Sequence, residues 1–123
     1  MAPLVSGYKF VRPWRLVFVA LLLIVGWLAL QPVAGTPHFP YQDKALHALA
    51  YAALYGVGWL AYGRRALSLP VHLSLLLYGL GIEWLQSRTG YRFAEWTDVV
   101  ANILGQGLGN LAVWLYLLGR KGP

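Results

Sequence analysis

Between Arg15 and Asp43 the chain carries no charged side chain, and the first part of that interval, Leu16 to Leu30, is apolar throughout. An apolar run without a polar face belongs either deep inside a large protein or in a bilayer. The chain has 123 residues, enough for one domain, and 59% of them are hydrophobic. Only 11% are charged, against roughly 25% in an average globular protein. One small domain has too little interior to hide so much apolar surface from water. The expected class is therefore an integral membrane protein. No cysteine is present, which removes disulfides, thiolate nucleophiles and cysteine-held metals from consideration.

Three further apolar runs follow, separated by short polar segments rich in Gly, Pro or charge. They predict an all-α bundle of four transmembrane helices at about residues 14–32, 43–63, 70–87 and 97–119, forming one domain over residues 1–123. Residues 1–15 read as a basic leader with Lys9, Arg12 and Arg15. With the apolar run and Val33-Ala34-Gly35, that layout also matches a cleavable signal peptide. The three later spans make a retained first helix the more natural reading. Residues 31–42, with three prolines, form a loop.

The positive-inside rule sets the orientation. Lys9, Arg12, Arg15, Arg64, Arg65, Arg120 and Lys121 fall on one side; Lys44, Arg88 and Arg92 fall on the other. Both termini are thus expected in the cytoplasm of a multi-pass inner-membrane protein. The formal charge of +6 does not point to nucleic acid, because the basic residues are dispersed between spans instead of gathered on one face. Tyr8, Trp14, Trp59, Tyr62, Trp114 and Tyr116 suit an inner aromatic belt, and Trp84, Tyr91 and Trp96 an outer one.

All four acids lie at or near the outer ends of the predicted helices. Asp43, His47 and Tyr51 are spaced i, i+4, i+8 and share a helix face. Gly79, Glu83 and Gln86 share one on the third helix; Asp98, Asn102, Gly105 and Gly109 share one on the fourth. Ionisable groups within a membrane face the bundle interior, so the three stripes are expected to converge on one outward-opening pocket. Each residue also has a plainer role. Asp43 and Asp98 stand at helix starts, where acids suit the helix dipole. His47, Gln86 and Asn102 suit interhelical hydrogen bonds, and Arg88 and Arg92 suit a loop. Gly105 and Gly109 form a small-residue stripe for close helix packing. His72, isolated on the third span, receives no role.

No nucleotide loop, zincin pattern, nucleophile elbow or Rossmann glycine pattern is present, and no cofactor is expected. His47, Glu83 and Asp98 would be the residues of any acid/base chemistry. The same three could ligate a metal, although their spacing matches no standard metal motif.

The order Asp43-Lys44, His47, Tyr51, then Glu83-x-x-Gln86, Arg92, Asp98, Asn102, Gly105 and Gly109 resembles the VanZ-like family of bacterial membrane proteins. The likeness covers residues 43–109, and either Arg88 or Arg92 fits the arginine position. It implies a small helical membrane protein of the cell envelope, from a family named for a member associated with teicoplanin resistance. On this basis the leading expectation is a non-enzymatic accessory or binding protein in contact with membrane lipids. Its pocket, formed by Asp43, Lys44, His47, Tyr51, Glu83, Gln86, Arg88, Arg92, Asp98 and Asn102, would take an anionic lipid or cell-wall-precursor head group, or a glycopeptide antibiotic. An intramembrane enzyme acting on such a head group, and a polar set that only welds the bundle, are the alternatives.

Overall fold

The computed structural model describes residues 2–32, 40–63, 69–91 and 95–120. Arg64, Arg65, Arg92 and Lys121 lie outside the described residues, as do the side chains of Tyr8, Lys9 and Arg12 and most of the proline-containing loop. The described chain is all helical. Helices α1 (Ala2–Ala29), α2 (Gln42–Tyr62), α3 (Leu69–Arg88) and α4 (Trp96–Arg120) follow one another with no strand among the described residues.

The basic leader is not a separate segment, since α1 already begins at Ala2 and continues through Pro13. Hydropathy marks only the apolar part of a helix, so the polar first turns escaped the sequence reading. Pro13 has no N–H to give to the preceding turn, a local loss that the rest of the helix tolerates. The later helices carry helpful end charges. Asp43 and Asp98 stand in the first turns of α2 and α4, while Arg88 and Arg120 stand in the last turns of α3 and α4. Gly63, at φ 60°, ends α2 in a backbone region that favours glycine.

Contacts between helices fix their directions. Along α2 and α4 the partners rise together: Lys44 with Asp98, His47 with Asn102, Tyr55 with Asn110, and Trp59 with Tyr116. These two helices are therefore parallel. Helix α1 runs antiparallel to α2, with the Arg15 Nε donating to the Ala61 carbonyl at 3.1 Å and Phe18 edge-on to Tyr62. Helix α3 runs antiparallel to α4, pairing His72 with Gln106 at one level and Glu83 with the backbone of Glu95 at another. The result is an up-down-up-down bundle whose closest pair is α2 and α4.

That closeness comes from glycine. A Cβ on Gly105 would run into the Ala48 backbone, with Ala48 Cα only 2.9 Å away, and one on Gly109 would meet the Ala52 carbonyl oxygen at 2.9 Å. The predicted stripe of small residues is the seam of the bundle. Beside it Tyr51, Leu54, Tyr55, Leu75 and Val113 form the buried core. The bundle is apolar outside and partly polar inside. Leu16, Leu23, Leu49, Leu77 and Trp96 are exposed, whereas Glu83, Gln86, Asp98, Asn102 and Gln106 are buried. Among the described residues one helix, Trp96–Arg120, is long and apolar enough to cross a membrane, and the apolar stretch Pro13–Ala29 is shorter.

Candidate functional site

At one end of the bundle, the first turns of α2 and α4 lie side by side, with the end of α3 against them. Lys44 projects from α2 and gathers three acids. Its Nζ donates to Asp43 Oδ2 at 2.7 Å, to Glu95 Oε2 at 2.6 Å and to Asp98 Oδ1 at 2.6 Å. These are charge-assisted bonds, and they join α2 to α4 through a side chain that is only 20% exposed. The hydrogen bond and the positive charge of Lys44 hold the Glu95 carboxyl below its usual range.

One turn further along α2, the His47 Nδ1 is 3.0 Å from Asn102 Oδ1. An amide oxygen only accepts, so Nδ1 is the donor in this contact and the other ring nitrogen is left on the side of Asp98. That nitrogen, Nε2, lies 3.7 Å from Asp98 Oδ2, beyond hydrogen-bond range. Glu83 enters from α3. Its Oε2 accepts the Glu95 backbone N–H at 3.0 Å, while its Oε1 is buried and has no hydrogen-bond partner among the described residues. A nitrogen of His47 and one oxygen each of Glu83 and Asp98 lie within 4.8 Å of one another. Asp43, Glu95 and Asp98 make a second such group, and Lys44 already supplies its cation.

Asp43, Lys44, His47, Glu83, Asp98 and Asn102 thus come together from three helices. Tyr51 is buried just below, where its hydroxyl and the Asn102 amide crowd the space beside Gly79. Gln86 turns away from the cluster. Its Nε2 donates to the Ala29 carbonyl at 2.7 Å, and the Tyr91 hydroxyl donates to the Leu30 carbonyl at 2.7 Å. Both satisfy carbonyls that the end of α1 leaves free. The Arg88 guanidinium sits 5.0 Å above the Trp84 ring, on the exposed side of α3. Arg92 lies outside the described residues.

Two residues of the site received no role from the sequence. Glu95 had no helical periodicity to mark it, although it precedes Asp98 by three residues, within one turn of the α4 start. Gln106 continues the Asp98 and Asn102 stripe by one more turn, and this spacing could have revealed it. Its Oε1 is 2.9 Å from His72 Nδ1, and the His72 ring stacks on Tyr55 at 4.8 Å. His72 therefore belongs to a second polar layer deeper in the bundle. An apolar groove of about 600 Å³ between α2 and α4, lined by Ala52, Gly56, Leu60, Leu108, Ala112 and Tyr116, contains none of the clustered acids. Its lining fits hydrocarbon and not a head group.

No family model matches the chain. An uncharacterized protein of the fission yeast Schizosaccharomyces pombe is 33% identical over 103 residues, which cover 81% of this chain and 62% of the yeast protein. The chain therefore spans less than two thirds of that relative's length. No solved structure matches.

Proposed function

We propose that this chain is a VanZ-like integral membrane protein of the bacterial cell envelope, with four helices spanning the inner membrane and both termini in the cytoplasm. Its polar end faces outward and serves as an accessory site for the head group of an envelope lipid or cell-wall precursor, or for a glycopeptide antibiotic. One observation carries the reading: a bundle with leucine and tryptophan on its outside keeps Glu83, Gln86, Asp98 and Asn102 inside. That distribution suits lipid around the helices and a polar ligand at one end. The meeting of Lys44, His47, Glu83, Asp98 and Asn102, which carry the VanZ-like resemblance, adds support. So does the apolar groove between α2 and α4, which fits an acyl chain.

The Nε2 of His47, 3.7 Å from Asp98 Oδ2, favours a second reading, acid/base catalysis on the same head group, with His47 or Glu83 as base. Thermal unfolding in detergent, titrated with phosphatidylglycerol, undecaprenyl phosphate and phosphatidylcholine, tests the binding site. Saturable stabilisation by one head-group class, lost in Asp98→Asn, is the expected result. Expression in a teicoplanin-sensitive host tests the envelope role. Equal responses to all three lipids together with unchanged susceptibility would overturn the reading. Chemical alteration of an added lipid would favour the catalytic one.

A further inference from the structure

We propose that His47, Glu83 and Asp98 bind one divalent first-row transition-metal ion, through His47 Nε2, Glu83 Oε1 and Asp98 Oδ2. The case starts from how each side chain spends its other polar atom. His47 Nδ1 is engaged by Asn102, Asp98 Oδ1 by Lys44, and Glu83 Oε2 by the Glu95 backbone N–H. Partners of this kind orient metal ligands and fix which histidine nitrogen is free. Among the described residues one donor atom per residue is left over, and the three residues come from three different helices.

The orphan oxygen is the second observation. Glu83 is only 6% exposed, and its Oε1 has no hydrogen-bond partner among the described residues. A buried carboxylate oxygen without a partner is costly. The Lys44 bonds go to Asp43, Glu95 and Asp98, and none goes to Glu83. The Asp98 carboxyl lies within side-chain hydrogen-bonding reach of Glu83, and a cation between the two, in place of a shared proton, compensates both.

Spacing also fits. Ligand atoms about 2.1 Å from a tetrahedral ion lie about 3.4 Å apart. The His47 Nε2 to Asp98 Oδ2 separation of 3.7 Å is close to that value and too long for a hydrogen bond. A ring nitrogen of His47 and one carboxylate oxygen each of Glu83 and Asp98 all lie within 4.8 Å of one another, a spread that small side-chain adjustments close around one ion. One imidazole with two carboxylates is a nitrogen–oxygen donor set suited to Zn²⁺ or Mn²⁺, and three protein ligands leave a position open. If the head-group reading holds, that open position explains how an acid-rich site accepts an anionic oxygen. The metal assignment itself does not depend on that reading.

The test uses the full chain in detergent, stripped with EDTA and then equilibrated with Zn²⁺ or Mn²⁺. Elemental analysis is expected to find one ion per chain, with affinity reduced at least tenfold in His47→Gln, Glu83→Gln and Asp98→Asn. His72→Gln, in the deeper layer, is expected to bind normally. Electron-nuclear double resonance on the Mn²⁺-loaded protein should show coupling to one imidazole nitrogen. The chain has three histidines, so the double variant His38→Gln/His72→Gln leaves only His47, and the coupling should persist in it even if the ligand variants fold poorly. No stoichiometric ion in the wild-type protein overturns the proposal, as does loss of the coupling in that double variant or full affinity in all three ligand variants. Metal binding without any lipid response would sustain this site while removing the head-group reading.

Discussion

His47 on α2 and Asn102 on α4 meet through a 3.0 Å contact between Nδ1 and Oδ1, and this pairing decides which ring nitrogen faces Glu83 and Asp98. Asn102 acts on the site through histidine. Removing it with Asn102→Ala is expected to weaken Zn²⁺ or Mn²⁺ binding by roughly 10- to 100-fold, the usual effect of losing an outer partner of a metal ligand. Asn102→Asp, which still accepts the ring proton, should retain most of the affinity. Equal losses in both variants would assign Asn102 a packing role only.

Lys44 is expected to matter for stability as well as for charge. Asp98 is buried and its Oδ1 accepts from the Lys44 ammonium at 2.6 Å, so Lys44→Met removes the cation bonded to that oxygen. Breaking such a pair by removing one partner costs about 3 kcal/mol. The combined Lys44→Met/Asp98→Asn variant should recover part of the loss, as measured by unfolding in detergent. Additive effects of the two changes would show that they do not interact.

Gly105 and Gly107 offer a paired test of the α2–α4 seam. A Cβ on Gly105 collides with the Ala48 backbone, whereas one on Gly107 meets nothing within 4 Å. Gly105→Ala should destabilise by about 1–3 kcal/mol through overpacking. Gly107→Ala should stabilise by up to about 1 kcal/mol, because alanine favours a helix interior more than glycine does. The two midpoints need only be compared in one detergent. Similar values would mean that the helices are not in close contact at Gly105.

Gln86 is expected to secure α1. Gln86→Leu removes the bond to the Ala29 carbonyl and should lower stability by about 1 kcal/mol. Hydrogen exchange should rise first at the end of α1. Protection that falls only around His47 and Asp98 would instead tie Gln86 to the polar cluster.

Helical spacing made much of this site legible. The faces shared by Asp43 and His47, and by Asp98, Asn102, Gly105 and Gly109, follow from periodicity alone, and the cost of burying acids points them inward. Periodicity does not disclose how neighbouring helices are matched in height. For that reason Lys44 was read as one member of a pocket and not as the ammonium that joins three acids. Glu95 counted among the outer acids but was given no site role, because it lies just before a helix and shares no helix face, and Gln86 looked like a site residue although its amide caps α1. His72 appeared isolated because its partner, Gln106, lies 34 residues away.

Anomalous diffraction would locate the ion proposed between α2, α3 and α4. Crystals of the full chain grown with Zn²⁺ should show, at the zinc absorption edge, a single strong peak within about 2.3 Å of His47 Nε2 and of one carboxylate oxygen each of Glu83 and Asp98. Zinc found only at surface positions, with the three side chains ordered and no peak between them, would contradict the account.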